Sequence, residues 1–308
     1  VARVDTARPW SYDARSMSGL TESLVELIRR TSAEIPDDVQ SAILRGLEQE
    51  KEGTIAKSAL EIIERNIDLA KRKSQPICQD TGSILFYIDC PVGLNQVGFA
   101  EEAREAVKEA TKLGYLRQNS VDSITGKNDG TNLGPGSPNL HFHQHASDDI
   151  AVRLVLKGGG CENVGAQFSL PNTPLEANRD LDGCRKVILD AVQQAQGKGC
   201  GPGILGVCIG GDRATGYDFS KTQFLRDLDD RNDNAELAGL EQDILTTANK
   251  LGIGPMGFGG NTTLLGVKIT SANRLPASFF VSVSYMCWAF RRHGATLGAD
   301  GEIADWLY

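Results

Sequence analysis

Three of the seven cysteines stand where a thiolate could reach a bulky ligand. Cys78 in SQPICQDTGS, Cys161 in KGGGCENVG and Cys200 in GKGCGPG are flanked by Pro or Gly, which allow close backbone approach. Cys287, in SYMCWAFRR, ends an apolar run beside an aromatic residue and two arginines. Cys90 and Cys208 fall inside apolar runs and Cys184 in a helical pattern, and these three read as small buried hydrophobes. No pair makes a C-x-x-C, which excludes a compact zinc knuckle. Three thiolates gathered from distant loops could instead hold an iron-sulfur cluster, leaving one iron open as a Lewis acid.

Other motifs carry less. HFHQH would put His141, His143 and His145 on one face of a strand, which suits either a metal site or a polar, solvent-facing strand edge. The fourth histidine, His293, reads as part of a basic RRH turn, and so few histidines argue against a His-based triad. Gly252 to Gly257 satisfies G-x-G-x-x-G but follows a helical pattern, ELAGLEQDILTTANKL, where a dinucleotide fold needs a strand. A helix C-cap running into a tight loop accounts for Gly252. GKGCGPG lacks the Lys-Ser/Thr pair of a P-loop.

The elements that must position these loops follow from periodicity. Leu20, Leu24, Leu27 and Ile28 recur at helical spacing, then Val39, Ile43 and Leu47 after Pro36, then Ala56, Leu60, Ile63 and Ile67. From Ile84 short apolar runs read as buried strands: 84–90, 150–156, 204–210, 264–269 and 277–283. Helical patterns lie between them, at Ala103 to Ala110, Val187 to Ala195 and Leu237 to Leu251. The expectation is an α/β fold, with buried mixed sheets flanked by helices behind a helical N-terminal segment. One domain is expected over 1–308, helical at about 18–72 and α/β at about 75–300, with DLDDRNDN (227–234) as a surface loop.

A chain of 308 residues can bury a sizeable core, and its formal charge of −8 argues against a general nucleic-acid binder. No stretch reaches the roughly 18 apolar residues of a membrane span. The opening VARVDTARPWSYDARS lacks the apolar core of a signal peptide, so a cytoplasmic protein is expected. An odd number of cysteines without secretory features argues for free thiols or ligands.

PICQDTG, LRQNSV, GKNDGTN, KGGGCENVG, GKGCGPG, LGIGPMGFGGNTTLLGVKI and PASFFVSVSYMCWAFRR occur in that order. Together, from about residue 20 to 300, they resemble the N-terminal catalytic region of class I fumarases and the related alpha subunit of L-tartrate dehydratase. The closing block is more similar to fumarase. The resemblance implies a 4Fe-4S cluster held by Cys78, Cys200 and Cys287, with Cys161 spare. Its open iron would bind the hydroxyl and a carboxylate of a small dicarboxylate substrate. The resemblance also makes Asp80 the acid that assists the departing hydroxyl or contacts the substrate. Gln79 would face the same pocket, Arg117 would hold a substrate carboxylate, and Gly159 and Gly160 would let the substrate approach the backbone. Asp80 could alternatively be a turn carboxylate bonded to the Gly82 or Ser83 amide.

The implied activity is reversible hydration of fumarate to L-malate, with tartrate dehydratase or mesaconase as the alternative within the class. A cluster-bearing binding or sensor protein is the alternative outside it. Two departures bear on this. Leu275 stands where many relatives carry a His, which puts one substrate contact in doubt. The sequence given stops at Tyr308, where single-chain class I fumarases continue. A separate beta subunit is therefore expected to bring the catalytic base, in a hetero-oligomer or homodimer without nucleic-acid or membrane partners.

Overall fold

Three amphipathic helices open the part of the chain that the computed structural model describes, residues 17–308. α1 (Leu20–Ala33) buries Leu20, Leu24, Leu27 and Ile28, α2 (Asp37–Gln49) buries Val39 and Ile43, and α3 (Ile55–Lys73) buries Leu60, Ile63 and Ile67. Each set recurs at three- and four-residue intervals, the apolar stripe of a helix lying on a core. The Thr54 side chain caps α3 by accepting the Lys57 N–H, and the helix ends where Ser74 turns left-handed at φ 50°.

After α3 the period changes to two. In β1 (Ser83–Pro91), Ile84, Phe86, Ile88 and Cys90 pack on one side with α1 and α4 (Gln96–Lys112). Leu85 and Tyr87 point the other way, into a cluster shared with α2, α3 and the second sheet. A strand covered on both faces is apolar throughout, which is why ILFYIDC does not alternate.

Two mixed sheets result. The first runs β2 (Asn139–His145), β1, β3 (Ile150–Lys157), β8 (Arg291–Leu297), β9 (Ile303–Trp306), with β1 and β2 parallel and the other pairs antiparallel. The second runs β4 (Ala166–Ser169), β7 (Phe280–Met286), β5 (Gly203–Gly210), β6 (Leu264–Ala272), with β5 and β6 parallel. α6 (Leu181–Ala195) and α8 (Ala235–Asn249) cover its outer face through Val187, Ile188, Val192, Leu240 and Ile244. Two shorter helices complete the set, α5 (Gly159–Asn163) directly after β3 and α7 (Arg213–Thr222) after β5. The fold is thus the expected α/β arrangement, and no helix among the described residues is long and apolar enough to cross a membrane.

Local details depart from the sequence reading. The strand expected at 277–283 starts at Phe280, because the Arg179 guanidinium takes the carbonyls of Pro276 and Ala277 and the Leu170 amide takes that of Phe279. RRH is not a turn. Arg291, Arg292 and His293 begin β8 and are buried there. Arg292 is tolerated because it donates to Asp38 (2.8 Å) and to the carbonyls of Phe224 and Arg226, and lies 4.2 Å from the Tyr308 ring. Burial pushes the Asp38 carboxyl up, but Arg292 and the Leu228 amide outweigh it and leave Asp38 below its usual range.

Candidate functional site

Strand register alone brings the four loop cysteines to one place. Ser83 of β1 pairs with Lys157 of β3, so the Cys78–Asp80 turn lies beside Gly158 and α5, which carries Cys161. Ile204 of β5 pairs with Met286 of β7, so the Cys200 loop meets Cys287. Leu156 of β3 pairs with Arg291, so residues 287–290 pass from the second sheet to the first. The cysteines therefore gather at the seam between the sheets.

Direct contacts join three of these loops and shape the fourth. The Cys287 amide donates to Cys161 Sγ at 3.2 Å, the Trp288 amide to the Cys200 carbonyl at 3.4 Å, and the Asp80 amide to Cys78 Sγ at 3.4 Å. Cys161 and Cys287 are buried, Cys78 is half-buried and Cys200 is exposed. The Cys200 loop is braced from behind. The Met256 amide donates to the Gly201 carbonyl, and a Cβ on Gly257 would lie 2.7 Å from the Gly197 Cα. GIGPMGFGG thus supports a cysteine loop, where a dinucleotide fingerprint would cradle a pyrophosphate.

The electrostatics of the four thiols differ. The Cys287 thiol donates toward Cys161, which with help from Lys157 and Arg291 draws Cys161 down to about 7 despite burial. The same contact and burial push Cys287 well up. Although Cys200 as a residue is exposed, desolvation of its thiol and the nearby Cys161, Cys78 and Asp80 push it up. Soft sulfur donors arriving from separate loops suit an iron-sulfur cluster, whose ligands are spread over several metal atoms. Among the described residues, no three His, Cys, Asp or Glu side chains stand close enough to hold a single metal ion.

Asp80 clasps two elements. Its Oδ1 accepts the Gly82 N–H at 2.8 Å, the turn bond weighed from sequence, and its Oδ2 accepts the Gly159 N–H at 2.7 Å, at the start of α5. Gly82 has φ +77°, and a Cβ there would lie 2.4 Å from the Lys157 carbonyl, so only glycine fits. At Gly159 and Gly160 the nearest atoms to an added Cβ are 3.5 and 3.8 Å away, ordinary contacts. Both are exposed, as is Gln79. The chain's own packing does not demand glycine at 159 or 160.

Arg117 is brought to the same region by a residue the sequence reading passed over. Asn132, in GKNDGTN, is almost fully buried; its Nδ2 holds the Arg117 carbonyl at 2.8 Å and its Oδ1 accepts the amides of Asn119 and Ser120. Thr81 Oγ1 also donates to the Arg117 carbonyl, at 2.6 Å, and Asn119 Oδ1 accepts the Thr81 N–H. The LRQNSV loop is thereby pinned to the Asp80 turn, with the Arg117 side chain exposed. A cleft of about 250 Å³ opens here, lined by Asp80, Ser83, Asn119, Ser120, Asn132 and Gly159 among others. A buried Asn in a Gly-rich stretch was the available signal, since such a residue must satisfy both ends of its amide.

Other expected groups lie elsewhere. His141 stacks on Tyr87 at 4.7 Å and lies 3.7 Å from Asp218, His143 lies 3.5 Å from Asp89, and His145 meets Ser147. Each imidazole on β2 has its own neighbour. Leu275 is exposed at the far end of β7 from Cys287, about 20 Å along a seven-residue strand, and so stands apart from the thiols of its own chain.

The sequence that carries these loops is matched in known proteins. A family description, Fumarate hydratase (Fumerase), fits residues 21–296. A protein of Geobacillus stearothermophilus provisionally named class I fumarate hydratase is 54% identical over 297 residues, 95% of this chain and 58% of that protein. The chain therefore spans little more than half of that relative. The L(+)-tartrate dehydratase subunit alpha of Escherichia coli K12 is 30% identical over 94% of both chains. A Methanocaldococcus jannaschii protein provisionally given the same subunit name is 33% identical over 92% of this chain and 99% of that one. With the match spanning all four cysteine loops, the chain belongs to the fumarate hydratase (Fumerase) family.

Proposed function

We propose that the protein is the cluster-binding part of an iron-sulfur hydro-lyase that interconverts fumarate and L-malate. The observation that carries this reading is the meeting of four cysteine loops beside a cleft bordered by Asp80 and Gly159. Fumarate is preferred over tartrate because identity to the fumarate hydratase relative is 54%, against 30–33% for the tartrate dehydratase subunits.

Cys78, Cys200 and Cys287 would hold the 4Fe-4S cluster, which when bound supplies a Lewis acid for the hydroxide leaving group. Arg117, exposed on a pinned loop, would bind a substrate carboxylate through two parallel hydrogen bonds. Gly159 and Gly160 would leave room for the substrate against the backbone of α5, with Gln79 at the rim. Asp80 is anchored through one lone pair on each oxygen, and a remaining lone pair would carry the proton that Asp80, as the acid, gives to the departing hydroxyl. The base that removes the proton beside the carboxylate would come from a complementary domain. The subunit names of the tartrate dehydratase relatives favour a separate beta chain.

The test is anaerobic reconstitution with ferrous iron and sulfide, combined with the complementary domain, followed by kcat/KM for L-malate, fumarate, mesaconate and L(+)-tartrate. The fumarate–malate pair should give the highest values. A higher value for tartrate would make the protein a tartrate dehydratase subunit, because its additional hydroxyl needs its own polar partner. Cluster uptake without turnover of any of these acids would favour a binding or sensor role.

A further inference from the structure

Two buried cations lie beneath the thiols and have few partners. Lys157 ends β3 and is fully buried; its Nζ stands 3.0 Å from Glu162 Oε2 but makes no aligned hydrogen bond. Glu162 is shared, since Lys221 Nζ takes its other oxygen at 2.7 Å. Arg291 is 1% exposed; one Nη donates to the Asp80 carbonyl at 2.6 Å, while its Nε has no partner. An added Cβ at Gly158 would lie 3.3 Å from Asp80 Oδ2, 3.8 Å from the second Nη of Arg291 and 3.8 Å from Cys161 Sγ, so these groups converge on one point.

The two buried cations are incompletely partnered. Lys157 and Lys221 share the one carboxylate of Glu162, and Arg291 meets the Asp80 turn through a backbone carbonyl, while the Asp80 carboxylate is engaged by two amides. A buried charge is expensive unless it is paired and hydrogen-bonded. Both Lys157 and Arg291 act electrostatically on the Cys161 sulfur, at the level of the thiols. The missing negative charge is what thiolates bearing an iron-sulfur cluster would bring.

We infer that Lys157 and Arg291 are positioning residues forming a positive floor under the cysteine loops, one that retains an anionic thiolate-ligated cluster and raises its reduction potential. This rests on the proposal that the thiols hold a cluster. A reduced cluster carries one more negative charge than an oxidised one, so fixed cations nearby favour reduction. Glu162 opposes them.

The experiment uses the full chain, reconstituted anaerobically with ferrous iron and sulfide. It reads iron and sulfide content, the rate of iron loss to a chelator, and the midpoint potential of the cluster in an EPR-monitored redox titration. Lys157→Met and Arg291→Gln should lower the midpoint and speed iron loss several-fold. Glu162→Gln should raise the midpoint, and Arg291→Lys should stay near wild type. Should Lys157→Met not fold, the Arg291→Gln and Arg291→Lys pair gives the same comparison. Equal midpoints and loss rates throughout, or shifts that ignore the sign of the charge removed, would overturn the inference while leaving the cluster itself established. Failure of the wild-type chain to take up iron and sulfide would overturn the underlying reading instead, and the floor with it.

Discussion

Asp80 Oδ2 and the Gly159 amide, 2.7 Å apart, join the turn before β1 to the first residue of α5. The bond ties the Cys78 loop to the Cys161 helix through a carboxylate that also fixes its own turn at Gly82. Removing it should loosen the site before any substrate is involved. Asp80→Ala, which leaves two amides without their acceptor, should cost about 2 kcal/mol in chemical denaturation of the reduced, metal-free chain, and Asp80→Asn less than about 1 kcal/mol. If both variants unfold with the wild-type protein, the carboxylate has no structural role and is held for chemistry alone.

The two glycine positions should separate cleanly. Gly82→Ala forces a Cβ to 2.4 Å from the Lys157 carbonyl at a left-handed φ and should destabilise by about 3 kcal/mol or more, seen as a large fall in thermal midpoint. Gly159→Ala meets nothing closer than 3.5 Å and should fold normally. Its effect should appear instead as a higher KM in the complete enzyme. An equal loss of folding in both would contradict this division.

His293 gives the fold an acid-sensitive point. Burial, aided by nearby Arg30, pushes its imidazole down to about 3, and neither ring nitrogen has a hydrogen-bond partner. The unfolded chain takes up a proton near pH 6.5, which the folded chain refuses, so stability should fall as pH drops below that value. The loss at pH 5 is about 2 kcal/mol from this group. Urea titrations of wild type and His293→Leu between pH 5 and 7.5 test it: the variant should have the flatter profile. Parallel profiles would place the acid sensitivity elsewhere.

Iron and sulfide analysis after anaerobic reconstitution should show cluster loss in Cys78→Ser, Cys200→Ser and Cys287→Ser, with retention in Cys161→Ser. Cys161 touches the Cys287 amide, so its replacement should speed cluster decay in air without abolishing assembly. Complete loss in Cys161→Ser would instead make it a ligand.

Periodicity made much of the fold legible. β1, β3, β5 and β6 begin within one residue of the apolar runs that announced them, since a strand covered on both faces has little freedom in composition. β8 was hidden because it opens with Arg-Arg-His, a surface pattern. Partners distant in sequence make that burial possible: Asp38, two carbonyls and the Tyr308 ring for Arg292, and the Asp80 carbonyl for Arg291. The site shows the same limit. Cys78, Cys200 and Cys287 stand out through their loops and the blocks around them, and strand register then brings the loops together. Lys157 and Arg291 carry no local mark, and Asn132 only that of an Asn in a Gly-rich stretch. Their importance comes from what lies opposite them across the two sheets.

Cys287 rides on the short passage between β7 and β8, and β8 is inserted between β3 and β9 of the first sheet. The pocket therefore has no existence in a nascent chain until residues 287–297 have left the ribosome and β8 has paired with β3. Any group that these thiols hold together must therefore arrive after β8 has been made and paired. Until then Cys78, Cys161 and Cys200, all made before β8, are the thiols that a reducing environment or a carrier would have to shield.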